Sequence, residues 1–131
     1  MTKSRKLEPF GFLLTLDLYG CKPGTAGDLT LCYEYLNNLV DFLGMTKQSP
    51  PFIFVSPLEY PEKAGLSGWV PLIESGIQIH TLVPKNFISI DVYSCHKFSP
   101  IGVEEYTSKI FQPQKVEKNF ILRGIKYNAI T

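Results

Sequence analysis

Between Asp28 and Leu43 the apolar side chains fall at Leu29, Cys32, Tyr33, Leu36, Leu39, Val40 and Leu43. That spacing of i, i+3, i+4 and i+7 lines one face of an α-helix with apolar groups and leaves the other face polar. Such a helix draws most of its stability from burying its stripe, so the chain must supply a surface to receive it. Thr25 with Asp28 predicts a capping-box start, and Gly44 a stop. Most of what remains reads as strands. Gly11 to Gly20 is a Leu-rich run closing in a turn at Lys22-Pro23-Gly24, and Phe52 to Pro57 is a second short run. Leu58 to Gly65 reads as a loop, and Gly68 to Glu74, Gly76 to Val83 and Phe87 to Cys95 follow as three strands, the last two joined by a turn at Val83-Pro84-Lys85-Asn86. Ser99-Pro100 opens a second, shorter helix with Val103, Tyr106, Ile110 and Phe111 on one side, and Lys115 to Tyr127 predicts a final strand. Two one-faced helices and an excess of strands are most economically arranged as an α+β two-layer sandwich. In it, a largely antiparallel sheet has two helices packed on one face. The other sheet face then needs cover, which a second subunit can supply.

Length and charge narrow the function. A chain of 131 residues with 44% hydrophobic and 19% charged residues builds one domain spanning 1–131 and is not a disordered segment. A net charge of +1 gives no field to draw nucleic acid. The basic start, Lys3 to Lys6, is followed by Leu7-Glu8-Pro9 where a signal peptide needs an apolar core. No run approaches the roughly 20 apolar residues of a membrane span. Cys21, Cys32 and Cys95 are odd in number and widely spaced, which fits neither a disulfide framework nor a metal ribbon. Cys95-His96 lacks a second ligand pair, so no metal is expected. These features predict a cytoplasmic protein with neither nucleic acid nor membrane as partner.

The densest signal lies between Gly65 and Cys95: Gly65-Leu66-Ser67-Gly68, then Glu74-Ser75, then Ile79-His80-Thr81, then Asp91-Val92-Tyr93-Ser94-Cys95. Ser67 precedes Ser75 by eight residues, His80 follows it by five and Cys95 by twenty. Taken singly these residues are ordinary: a turn serine, a half-buried histidine, a space-filling thiol. Together, at these offsets, they resemble the short prokaryotic S-adenosylmethionine decarboxylases, which carry Gly-Val-Ser-Gly, Glu-Ser at a self-cleavage point, Ile-His-Thr and Asp-Val-Phe-Thr-Cys. Leu16-Asp17-Leu18-Tyr19-Gly20-Cys21 looks like that family's first strand and Arg123-Gly124-Ile125-Lys126-Tyr127 like its last, so the likeness runs through nearly the whole chain.

The resemblance implies a proenzyme cut between Glu74 and Ser75 into a chain of 1–74 and a chain of 75–131. The Ser75 hydroxyl would attack the Glu74 carbonyl and turn the peptide bond into an ester. Strain or a polarised carbonyl would assist, and Gly76 gives the backbone freedom for it. Loss of the serine α-proton would release the upstream chain, with His80 transferring the proton and Ser67 assisting by hydrogen bonding. The dehydroalanine left at position 75 would hydrolyse to ammonia and a covalent pyruvoyl group, the cofactor. That group forms a Schiff base with the substrate amine and takes up the electrons left by carbon dioxide. Cys95 is implied as the proton donor to the carbanion. Asp17, a carboxylate within an apolar strand that needs a partner in either case, and Tyr60 are candidate substrate-binding residues. The family member is expected as a dimer of cleaved protomers with sites at or near the interface.

Two geometric expectations follow from the strands alone. A hairpin about Pro84-Lys85 brings residue 75 opposite residue 94 or 95, making Ser75 and Cys95 neighbours. His80, five residues along a regular strand, points to the opposite face from Ser75 unless a bulge or bend intervenes. The resemblance also has a gap. Where the family continues Trp-Pro-Glu, with the glutamate holding the ribose hydroxyls, this chain has Leu82-Val83-Pro84, and a proline cannot accept those hydrogen bonds. Three readings stand: decarboxylation of S-adenosylmethionine for spermidine synthesis, decarboxylation of a basic amino acid such as arginine or ornithine with Asp17 or Asp91 meeting its cationic end, and an uncut regulatory paralogue.

Overall fold

The computed structural model describes residues 8–130. The elements run β1 (Gly11–Tyr19), α1 (Leu29–Leu43), β2 (Phe52–Val55), β3 (Leu66–Leu72), β4 (Ser75–Leu82), β5 (Phe87–Ser94), α2 (Pro100–Phe111) and β6 (Lys115–Arg123). The strands form one six-stranded sheet in the order β2-β3-β4-β5-β1-β6, and every neighbouring pair is antiparallel. The chain leaves β1 through α1 to reach β2 at the far edge, and leaves β5 through α2 to reach β6 beyond β1.

The alternation of side chains decides the two faces. Leu14, Leu16 and Leu18 of β1, Ile77 and Ile79 of β4, and Ile88, Ile90 and Val92 of β5 are fully or almost fully buried. They meet Cys32, Leu36, Leu39 and Val40 of α1 and Val103 and Phe111 of α2 in one core, and a side chain such as Leu36 contributes about 1.5–3 kcal/mol on such burial. The helices are tied to each other where the Tyr35 hydroxyl and Thr107 Oγ1 share a hydrogen bond of 2.7 Å, and the Tyr35 ring meets Phe111 edge-on at 5.0 Å. Burial pushes the Cys21 thiol up to about 11 and the Cys32 thiol up to about 12, so both are inert packing groups.

The opposite face carries the intervening residues of every strand, and no second layer covers it among the described residues. The register sets them in cross-strand rows: Phe52, Trp69, Gln78, Asp91, Thr15, Asn119 in one, and Phe54, Ser67, His80, Ser89, Asp17, Glu117 in the next. The expected α+β two-layer architecture, with two helices on one face, is the one found.

Local expectations differ in three places. Asp28 is itself the N-cap of α1, its carboxylate accepting the Leu31 N–H at 3.0 Å, while Thr25 begins a separate 3-10 turn. The third strand begins at Leu66 and not Gly68, because Ser67 and Leu66 already pair with β2. The last strand stops at Arg123, where Gly124 turns the chain at φ +63° and accepts the Phe10 N–H at 3.0 Å. Tyr127 therefore lies in a 3-10 turn and not in a strand.

Candidate active site

β3 and β4 are joined by a two-residue turn, Ile73-Glu74, so Leu72 faces Ser75 across the first rung of the ladder. Ser75 has φ +149°, a region that L residues rarely adopt, and such backbone stores on the order of 1–3 kcal/mol unless its surroundings impose it. Here they do, because Ser75 is paired on one side with Leu72 and on the other with Ser94. The turn itself is clamped. Thr46 N–H donates to Glu74 Oε1 at 2.9 Å, Ile73 N–H to the Thr46 carbonyl at 2.9 Å, and Gln48 N–H to the Pro71 carbonyl at 2.9 Å. Glu74 is 7% exposed, so its side chain is held and not solvated.

The carbonyl that precedes Ser75 has a dedicated donor: Cys95 N–H donates to the Glu74 oxygen at 2.8 Å. A backbone N–H aimed at a carbonyl withdraws charge from its carbon and supports any oxyanion formed there. Cys95 follows directly on Ser94, so the strand pairing that was expected to make Ser75 and Cys95 neighbours is present. Cys95 is half-buried and unpaired.

His80 lies elsewhere. β4 pairs without a break from Ser75 to Leu82, with no bulge, and the only irregularity is the Ser75 conformation itself. Five residues of strand separate the two by about 16 Å, and His80 stands on the uncovered face. There its Nδ1 shares a 3.0 Å hydrogen bond with Ser67 Oγ, its partner in the β3 ladder. The structure thus brings Ser67 to His80, and Ser75 to Glu74 and Cys95, but does not bring these two groups together within one chain. Asp17 shares the His80 row two strands away, beside Glu117. Tyr60 is 52% exposed on the loop before β3 and lines neither of the two grooves of this face.

Those grooves adjoin. One, of about 510 Å³, holds Ser75 and Gly76 among Phe10, Leu13, Asp91 and Tyr93, with the Arg123 guanidinium 4.8 Å from the centre of the Tyr93 ring. The other, about 500 Å³, is walled by Phe52, Phe54 and Trp69 and reaches Ser67 and His80. Trp69 and Gln78 belong to both. Asp91 is held above the ordinary 3.8, first by burial and then by the charge of Asp17. No cluster of three or more His, Cys, Asp or Glu able to hold a metal ion is found among the described residues. Of the groove residues, Phe10, Trp69 and Gln78 were not singled out from the sequence, and Tyr93 and Arg123 entered only as parts of the family resemblance, with no role at the site. The period-2 alternation could have found them, since all the strand members among them occupy outward positions.

Known proteins similar to this chain fall in one family. Residues 13–124 match the family model of S-adenosylmethionine decarboxylase. An S-adenosylmethionine decarboxylase proenzyme of Clostridium botulinum is 31% identical over 115 residues, covering 87% of this chain and 94% of that protein. One of Thermococcus gammatolerans is 29% identical over 122 residues, covering 92% and 81%. The crystal structure of adenosylmethionine decarboxylase from Aquifex aeolicus superposes with a TM-score of 0.77 at 25% identity, over 89% of this chain and 92% of that one. The six-stranded antiparallel sheet backed by two helices is the fold this chain shares with that decarboxylase. The chain belongs to the S-adenosylmethionine decarboxylase family, whose members are pyruvoyl-dependent decarboxylases of polyamine biosynthesis.

Proposed function

We propose that the chain cuts itself between Glu74 and Ser75 and that the product decarboxylates S-adenosylmethionine for spermidine synthesis in the cytoplasm. The observation that carries the first part is the coincidence, at one peptide bond, of the forced Ser75 conformation and the Cys95 N–H on the Glu74 carbonyl. Attack by Ser75 Oγ places negative charge on the Glu74 oxygen, where the 2.8 Å hydrogen bond already stands, and cleavage relieves the backbone strain. The surroundings of residue 75 suit a pyruvoyl group: the residue lines a groove open to a small molecule, and the backbone of Cys95 is hydrogen-bonded to the residue before it. Once formed there, that group would receive the substrate's amine and accept the electron pair freed with carbon dioxide. Cys95 would then return a proton to the α-carbon.

The Ser67–His80 pair stands about 16 Å along β4 from the Ser75 of its own chain, on a face whose exposed residues include Phe52, Phe54, Trp69 and Ile121. A patch of that kind marks an interface. The reading that uses both facts is a homodimer with these faces opposed, in which His80 and Ser67 of the partner subunit serve the proton at residue 75.

A second substrate reading has its own support. Asp91, half-buried in the Ser75 groove, would attract the cationic end of arginine or ornithine, and the Leu82-Val83-Pro84 segment offers no carboxylate for ribose. Intact mass of the purified chain, followed by carbon dioxide release from S-adenosylmethionine, arginine and ornithine in parallel, decides among these. Two chains split at residue 75 and release from S-adenosylmethionine are expected, and Ser75→Ala should leave one uncut, inactive chain. A wild-type chain that stays at full length after long incubation sinks self-cleavage, and release from a free amino acid alone replaces the substrate.

A further inference from the structure

The clamp on the Ile73-Glu74 turn is itself held from the helix layer. α1 ends at Gly44, whose φ of +68° turns the chain out of the helix, and Met45 N–H returns to the Val40 carbonyl at 3.0 Å. The next residues, 46–48, run alongside the turn and make all three of its clamping hydrogen bonds. Lys47, in the middle, pairs with Leu72 as an isolated antiparallel bridge, which extends the cross-strand row to Lys47, Leu72, Ser75, Ser94. The φ of +149° at Ser75 is imposed by its pairing with Leu72 and Ser94, so whatever fixes Leu72 from its outer side also fixes Ser75. Residues opposite one another in a ladder share a face. Leu72 belongs to the core, so the Lys47 side chain rises on the helix side, where its Nζ donates to Asn37 Oδ1 of α1 at 2.5 Å. Among the described residues this is the one side-chain hydrogen bond between α1 and segment 46–48. Beside the pair lies a groove of about 380 Å³, lined also by Tyr33, Gln48 and Ser49, so no close packing would keep Lys47 in place without that bond. Neither Asn37 nor Lys47 lines the two grooves of the uncovered face.

We propose that Lys47 and Asn37 are positioning residues for self-cleavage: their hydrogen bond holds segment 46–48 against the scissile turn, so that the Glu74–Ser75 bond takes up its reactive conformation only once α1 has docked on the sheet. The inference rests on the proposed cut between Glu74 and Ser75 and adds a condition on its timing. The bond is charge-assisted, because the ammonium is the donor. Until α1 lies on the sheet, segment 46–48 is unheld and the turn is free to relax the Ser75 backbone, which then has no strain to release. Folding comes first and cutting second.

Asn37→Leu and Lys47→Met each remove one partner. Full chains made by cell-free synthesis and followed by timed intact-mass spectra should show both variants cutting about tenfold more slowly than wild type, the rate equivalent of one hydrogen bond to a charged group. Asn37→Asp, which keeps an acceptor for the ammonium, should restore the wild-type rate. Once cut, the variants should decarboxylate with wild-type kcat and KM, because neither residue reaches the substrate grooves. In the uncut Ser75→Ala background, Asn37→Leu should quicken hydrogen exchange at the Thr46 and Ile73 N–H groups several-fold, an effect read without any cutting. Cutting by Asn37→Leu and Lys47→Met at the wild-type rate, or unchanged exchange at those two groups, overturns the inference. So does slow cutting that Asn37→Asp fails to restore and that comes with a lowered kcat, the mark of a general loss of structure. In each of these cases the wild type still cuts and the proposed function stands. A wild type that does not cut removes that function, and the positioning role with it.

Discussion

Cys95 contributes two groups to one site, and they are separable. Its N–H holds the Glu74 carbonyl, whereas its thiol is the proposed proton donor. Cys95→Ala keeps the N–H, so it should still yield two chains while turnover drops. Cys95→Pro deletes the N–H and should slow self-cleavage by about a hundredfold, the usual cost of one oxyanion donor. Timed intact-mass spectra check both, and equal cutting by the two variants would remove the amide from the mechanism. Asp91 gives a pH signature. Burial and Asp17 raise its value above 3.8, so the fold prefers its protonated form. That contribution to stability is complete below 3.8 and is lost as pH rises through the raised value. In the uncut Ser75→Ala background, Asp91→Asn should melt higher than its parent at neutral pH, by about 1–3 °C after solvent screening. The gap should close on acidification; a gap that widened instead would contradict the assignment.

At the level of elements, the loop before β3 enters the sheet at a position that accepts only glycine. Gly65 has φ +159°, and a β-carbon there would lie 1.9 Å from the Thr81 carbonyl oxygen. Gly65→Ala should therefore cost about 3 kcal/mol or more, read as a lower urea midpoint in the uncut background; an unchanged midpoint would mean the β3–β4 entry is softer than its contacts imply. That constraint was not legible in the sequence, where Gly65 looks like any loop end, because the clash comes from a residue sixteen positions away. The helix of 29–43 was legible from its own period, and the strands from their composition, since both signals are local. So was the neighbourhood of Ser75 and Cys95, because a short hairpin fixes register within one turn. The separation of His80 from Ser75 was half legible: the odd offset set them on opposite faces, and only the unbroken pairing of β4 excluded a bulge. The lean of the Trp69 ring over Gly76 was not legible, because it depends on how β3 pairs with β2 and β4.

For the whole molecule, the shared-site dimer makes a direct prediction. A His80→Ala chain, which keeps Ser75, should remain uncut alone but be cut when co-expressed with Ser75→Ala, which keeps His80. Mass spectra that show the His80→Ala chain still intact in the mixed sample would confine the proton transfer to a single chain. The sheet order has a further consequence. Read as β2-β3-β4-β5-β1-β6, it takes two strands from residues before the Glu74–Ser75 bond, two from after it, then one from before and one from after. Cutting that bond therefore produces two interlocked pieces, each of which holds an outer or inner strand of the other. They cannot drift apart without tearing the ladder on both sides of β1 and between β3 and β4, so the nicked protein persists as a unit. Its assembly, however, is a one-way event: before the cut, folding needs one molecule, and afterwards renaturation would be a meeting of two, dependent on concentration. On the proposed cleavage, the uncut chain would be the form that carries the folding instructions, and the cut form would retain a shape it could no longer efficiently find.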